Sequence, residues 1–367
     1  MRQETNNGVT LTYPDDIGFA FNPCLLMASG DKLARMSVTV NSGEKKETIW
    51  LDAMAGRCYA DVREYVQSLF DDMDFGVVDY ERESKAELGK RVSFAIGVTK
   101  DGDGGAEVSF SFDVFYVWGA MKTGGQEVYN GCRTLAWFRG FPFTVGVYSA
   151  GGGSVMFYKD GVPDRIVNIP EQGVWNIPMR NTDDARRYYL LSDGAGACGE
   201  VTFDDTFDMT FRYVNGNAMA EKIRIDIVDG HDGGYYLRWI DRHGFYRYYL
   251  FKSGDEARKV TSEDVFIRNN LMSCDMSFGY RGHDGRQQRM GREDTVPACA
   301  PLVDGETWDM LFDIATSPYV DLFVGYKDGK PRWLPVTVAP GSYTKTKAAL
   351  QDFVCNIVMP EVPIQKL

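Results

Sequence analysis

The chain has 367 residues, 44% of them apolar, which is enough for two or three domains that each bury a core. Its 52 acidic and 40 basic residues leave a net charge of −12, which speaks against wrapping nucleic acid or lying on an anionic membrane. The seven cysteines are scattered, odd in number and free of any C-x-x-C pair, so they read as reduced cytosolic thiols and not as a disulfide framework or zinc site.

The opening Met1-Arg-Gln-Glu-Thr-Asn-Asn7 lacks the apolar stretch of a secretory signal. No apolar run approaches the roughly 20 residues that cross a bilayer. The expectation is synthesis in the cytoplasm with no membrane insertion. Twenty tyrosines, 22 phenylalanines and 39 glycines favour strands and tight turns over helices.

Residues 1–23 are polar and turn-rich and read as an arm, with 1–15 expected to order only on assembly. Cys24 to Ala28 reads as a buried strand. Arg35–Val40 and Glu47–Leu51 form a hairpin across Asn41-Ser-Gly43. A helix follows over 62–70, with Asp61 and Glu64 in a capping-box pattern and Val62, Tyr65, Val66, Leu69 and Phe70 as its apolar stripe. Val92, Phe94, Ile96 and Val98 alternate with small residues. After Asp101-Gly-Asp-Gly-Gly105, Val108, Phe110, Phe112, Val114, Tyr116 and Trp118 alternate with polar residues. These are two long antiparallel strands. From Gly151 onward, short strands recur every 8–12 residues, as in sandwiches and barrels.

That series closes on the most aromatic stretch of the chain, Tyr235 to Phe251, where two strands flank Asp241-Arg-His-Gly244. Leu237 and Trp239 share a face expected to be core. Tyr246 and Tyr248 are candidates for contact with another domain or subunit. A basic Gly-rich loop over 280–294 carries Arg281, Arg286, Arg289 and Arg292, expected to be mobile and to dock on an acidic neighbouring subunit. The fold class is mainly β, antiparallel sandwich or barrel-like, with one or two short helices. Three segments are expected: 1–150 with the helix, 151–255 with the aromatic hairpin, and 256–367 with the basic loop.

Candidate chemistry is sparse. His231, His243 and His283 all sit in Gly/Asp-rich turns and match no zinc pattern. Asp101-Gly-Asp-Gly-Gly105 begins like a calcium loop but lacks the later oxygen ligands. Gly151-Gly-Gly-Ser154 precedes a strand and not the helix that a phosphate site needs. Asp113, Asp204, Asp205, Asp208 and Asp226 are the carboxylates a β-sandwich glycosidase would draw on. No metal, cofactor or catalytic residue is assigned.

The segment Trp239-Ile-Asp-Arg-His-Gly-Phe-Tyr-Arg-Tyr-Tyr-Leu-Phe251 resembles an element of virion proteins from tailed phages and prophages of Bacteroidetes-type gut bacteria. Phe19-Ala-Phe-Asn-Pro-Cys24, and Asp328-Gly-Lys-Pro-Arg-Trp333 leading to Pro335-Val-Thr-Val338, are similar to the entry and exit of such proteins. The resemblance implies a non-enzymatic structural subunit of the tail, tail tip, baseplate or neck. Such a subunit forms a symmetric ring with copies of itself, contacts other virion proteins, and resides in the virion. Alternatives from the residues themselves are a carbohydrate-binding receptor protein that uses Trp and Tyr as stacking platforms and, after it, a glycosidase.

Overall fold

The computed structural model describes the chain except residues 102–106, 121–126, 129–131, 160–161, 180–186, 193–198, 204–208, 217, 220–221, 232, 269–283 and 361–367. It is mainly β, built from several antiparallel sheets with two α-helices among the described residues. It divides into two units, not three segments: Met1–Gly230 with Trp239–Tyr249, and His231–Arg238 with Leu250–Leu367.

The first unit opens with strands β1 (Arg2–Asn6), β2 (Val9–Tyr13), β3 (Ile17–Phe19), β4 (Leu25–Gly30), β5 (Leu33–Ser42), β6 (Lys45–Asp52) and β7 (Arg57–Asp61). Helix α1 (Arg63–Ser68), β8 (Ser84–Lys85), β9 (Gly89–Lys100) and β10 (Glu107–Val117) follow. One sheet runs β1-β2-β4-β7 and a second runs β3-β10-β9-β5-β6. Alternation makes them a sandwich. Val9, Leu11, Leu26, Ala28 and Ala60 from the first sheet share one core with Met36, Val38, Val40, Val92, Phe94 and Ile96 from the second. Alternation also aligns β9 with β10 as the sequence predicts, with Phe94 opposite Phe112 and Val98 opposite Val108.

Two expectations are corrected here. The polar entry is a hairpin, β1 against β2, because Asn7-Gly8 turns it with both residues at positive φ, 45° and 73°. Asp61 does not close a capping box. Its Oδ1 instead accepts the backbone N–H groups of Cys24 and Arg63, tying the helix start to β4. The apolar stripe itself holds, with Val62, Val66, Leu69 and Phe70 buried in the core. At the other end of α1, Lys45 and Lys90 donate to the carbonyls of Ser68 and Leu69, at 3.1 and 2.5 Å. Cations there complement the helix dipole.

The remainder of the first unit is one 11-stranded sheet. Its strands are β11 (Glu127–Val128), β12 (Cys132–Phe138), β13 (Thr144–Lys159), β14 (Val162–Ile169), β15 (Gly173–Pro178), β16 (Arg187–Ser192), β17 (Gly199–Phe203), β18 (Met209–Gly216), β19 (Ala218–Met219) and β20 (Lys222–Val228), joined by β8. Strand β13 is its longest member and runs unbroken through Gly151-Gly-Gly-Ser154.

A seven-stranded sheet runs β22-β21-β25-β26-β27-β24-β23; Trp239–Tyr249 of its first hairpin belong to the first unit and the rest to the second. In chain order these are β21 (Gly234–Ile240), β22 (Tyr246–Ser253), β23 (Ala257–Arg268), β24 (Asp284–Val303), β25 (Val320–Lys327), β26 (Lys330–Val338) and β27 (Gln351–Val358). The expected mobile basic loop over 280–294 is corrected. From Asp284 it is part of β24, paired residue by residue with β23, Arg286 opposite Phe266 and Arg292 opposite Val260. Helix α2 (Gly305–Phe312) follows, with the Asp304 side chain accepting from the Thr307 N–H.

Candidate functional site

The aromatic hairpin is a buried structural centre on both faces. Leu237 and Trp239 are fully buried, as the core reading requires. Tyr246 and Tyr248 are only 2% and 3% exposed: of the two expected contacts, another domain or another subunit, the subunit one is corrected, and their partners lie in the 1–150 segment. The Tyr246 hydroxyl donates to the Phe75 carbonyl. The Tyr248 hydroxyl lies 2.8 Å from Thr144 Oγ1 and 3.2 Å from the Tyr80 hydroxyl. Each phenol therefore meets its polar partners inside the first unit, which leaves it no outward task.

The turn between the strands is locked by Asp241. Its Oδ1 accepts the backbone N–H groups of His243 and Phe245 at 3.0 and 2.9 Å. Arg247 reaches its other oxygen at 2.7 Å, and His243 Nδ1 lies 3.9 Å away. Burial alone raises this carboxyl's pKa. The Arg247 charge and the hydrogen bonds outweigh it and hold the group well below the usual carboxylate range. Gly244 at φ +77° completes the turn, and a Cβ there would come within 2.8 Å of the Trp118 carbonyl. In the second unit Arg238 pairs with Asp321, both buried, and its guanidinium stacks 4.5 Å from the centre of the Trp333 ring. These groups hold strands together.

The outer face of the β3-β10-β9-β5-β6 sheet is the surface open to a ligand. Pairing places Lys46, Asn41, Ser93 and Asp113 in one row across it, and Thr48, Thr39, Ala95 and Ser111 in the next. An open recess of about 400 Å³ lies over Thr39, Asn41, Lys46, Ser93, Ser111 and Asp113. Trp50 stands on the same face, two residues from Thr48 along β6, and is 63% exposed. Hydroxyls, one amide, one ammonium and one carboxylate make this a hydrogen-bonding surface, suited to binding.

The chain leaves this face at a corner where Met54-Ala-Gly-Arg57 turns β6 into β7, closed by a Met54–Arg57 bridge. Met54 is 81% exposed and Tyr59 60%. Three large, well-exposed apolar side chains thus fall within ten residues. Sequence reading missed these exposed residues, because Trp50 and Tyr59 look like ordinary strand aromatics until burial is known.

Of the arginines, Arg292 is ion-paired with Asp294 at 2.6 Å, Arg286 and Arg289 lie on β24, and Arg281 is outside the described residues. The structure does not gather them with Tyr246 and Tyr248 into one site. Among the glycosidase candidates, Asp113 lies 3.7 Å from Arg91 and Asp226 pairs with Arg224 at 2.8 Å. Asp204, Asp205 and Asp208 are outside the described residues, as are His283 and most of the Asp101 loop. No helix among the described residues is long and apolar enough to cross a membrane.

No family model matches the chain, and no curated protein matches it. Among solved structures, the periplasmic chaperone SfaE is 12% identical over 60% of this chain and all of its own, with a TM-score of 0.21. A 1.5-MDa bacterial ice-binding adhesin, described for host cell surface retention, is 11% identical over 89% of this chain and 94% of its own, with a TM-score of 0.18. Sidekick-1 immunoglobulin domains 1–5 are 9% identical over 80% of this chain and 56% of theirs, with a TM-score of 0.15. Likeness this low transfers no function.

Proposed function

We propose that this chain is a non-enzymatic structural subunit of a phage-like virion, in the tail, tail tip or neck. It works by assembling with copies of itself and with other virion proteins, as the resemblance of its hairpins to such proteins implies. The observation that supports assembly is the exposed corner of the first sandwich. Trp50, Met54 and Tyr59 stand out at 63%, 81% and 60% exposure beside the edge strand β6. Large apolar side chains left exposed, Trp50 on the outer face of one sheet and Tyr59 on that of the other, are groups that a protein contact would cover. The test is mass spectrometry of particles purified from cultures that produce the protein, with immunogold labelling of those particles. Peptides at fixed stoichiometry and label at one particle position support the reading; absence from the particles sinks it.

A second reading is favoured by one observation, the polar recess beside Trp50. An exposed indole next to rows of hydroxyls suits a sugar ring, which stacks on one and hydrogen-bonds the other. Titration with a panel of oligosaccharides decides it: saturable binding lost in Trp50→Ala supports a glycan receptor role, and no binding across the panel removes it.

A further inference from the structure

Strand β6 ends its sheet, so one of its sides carries backbone groups without a ladder partner among the described residues. Which groups these are follows from the pairing with β5. Ala53 N–H bonds Ala34 C=O, and the strands pair without a register shift from Arg35–Asp52 to Ser42–Lys45. Hydrogen-bonded pairs alternate along an antiparallel ladder. The odd-numbered residues of β6 therefore bond to β5, and the N–H and C=O groups of Lys46, Thr48, Trp50 and Asp52 point to the open edge.

We propose that this edge pairs with β6 of a second copy, antiparallel, about a two-fold axis through Ile49. The proposal rests on the assembly reading above and names its partner. In this register every residue faces one on the same side of the sheet, as pleating requires. Lys46 lies opposite the second copy's Asp52, and Thr48 opposite its Trp50. Ile49 meets its own counterpart on the core side. A lysine on an edge strand ordinarily discourages pairing. Here each lysine is answered by a carboxylate, twice, by symmetry. Asp52 is 78% exposed and touches Arg35 at 2.8 Å, so its other flank is open to a second cation. Ile49 and Leu51 pack only partly against the core, and the added strand completes their cover.

Sedimentation velocity and native mass spectrometry of the full chain test this. The wild type is expected to dimerise as concentration rises. Thr48→Pro removes an outward N–H that β5 does not use and should leave the protein monomeric. Lys46→Glu alone, or Asp52→Lys alone, should weaken dimerisation about tenfold or more, because the axis repeats each mismatched pair. Mixing the two single variants should restore a dimer, since each then opposes complementary charge. Melting curves check that each variant folds; if Thr48→Pro does not, the charge-reversal pair decides alone. A wild type that stays monomeric overturns the proposal. So does a dimer indifferent to both charge reversals, or a mixture that fails to recover. Failure here leaves the particle measurement above unaffected, and the two readings fall separately.

Discussion

At the scale of single residues, the molecule buries charge in pairs, Arg238 with Asp321 and Arg247 with Asp241. Arg238 and Asp321 are about 1% and 2% exposed, facing each other on adjacent strands β21 and β25. Arg238→Met strands the Asp321 carboxylate and should cost about 3–5 kcal/mol, whereas Arg238→Met/Asp321→Leu together should recover much of that. Urea unfolding followed by a probe in the second unit measures both; a single variant as stable as wild type refutes the pairing. Asp241 behaves differently, because its partners hold its pKa below the ordinary value near 3.9. A depressed folded pKa gives stability that is fully present above the unfolded pKa and is lost as pH falls through the folded one. The wild type should therefore lose stability relative to Asp241→Asn only below about pH 4. Parallel acid titrations by circular dichroism show whether the curves converge there. The buried Cys24 thiol, 2.8 Å from the Tyr116 hydroxyl, is pushed up to about 12, chiefly by burial. Cys355 is raised to about 12 for the same reason. Both should resist alkylation at pH 8 until the protein unfolds, which peptide mapping reads directly.

At the scale of elements, the tight turns decide where strands stop. Gly43 at φ +63° turns β5 into β6, and Asp328-Gly329 turns β25 into β26 with both residues at positive φ. Gly244 sits under more constraint than either, since Val117 and Trp118 press on the space a side chain would need. Gly244→Val should destabilise the first unit by more than the roughly 1 kcal/mol that conformation alone costs. The same mutation at Gly43, where nothing lies within 4 Å, should cost less. Thermal melts of the two variants compare them. The aromatic hairpin makes the complementary point. With Tyr246 and Tyr248 buried, the double change to alanine should unfold the protein about as readily as Trp239→Ala, each loss being about 3–5 kcal/mol. A double variant that melts like wild type would place those rings outside the core.

At the scale of the whole molecule, the β architecture carries two kinds of surface. Sheet faces turned to a neighbouring layer are apolar. Over β5, β6 and the adjoining parts of β9 and β10, the outer face of the second sheet is mostly serine, threonine, asparagine and charge, broken by Trp50, whereas toward β3 the same face carries buried Ile17, Phe19, Phe115 and Val117. Its free edge at β6 is where growth by another strand is chemically simplest. If assembly runs through that edge, dilution or high salt should favour the monomer, because the Lys46–Asp52 contacts are exposed and screened. A sedimentation series in rising salt measures this, and a dimer that tightens with salt speaks for apolar contact at Met54 and Tyr59 instead.

Alternation of apolar and polar residues was sufficient to read β9 and β10, because a strand's side chains divide between two faces by position alone, and the aromatic hairpin was legible from two aromatic runs flanking a short polar turn. The stripe of α1 was equally legible, since its spacing is local. The Asn7-Gly8 turn and the Asp304 cap were written in the sequence too, though each hid in a stretch polar enough to pass for loop. What the sequence left open was which faces meet. Tyr246 and Tyr248 carry the same residue type whether they line a core or a surface, and only the placement of Phe75, Thr144 and Tyr80, 171, 104 and 168 positions away, puts them inside. Trp50 is the converse: it stands on the outer face of its sheet and is 63% exposed there. Burial is a property of long-range packing, and strand order, which no local pattern encodes, decides whether an aromatic residue stabilises the fold or faces a partner.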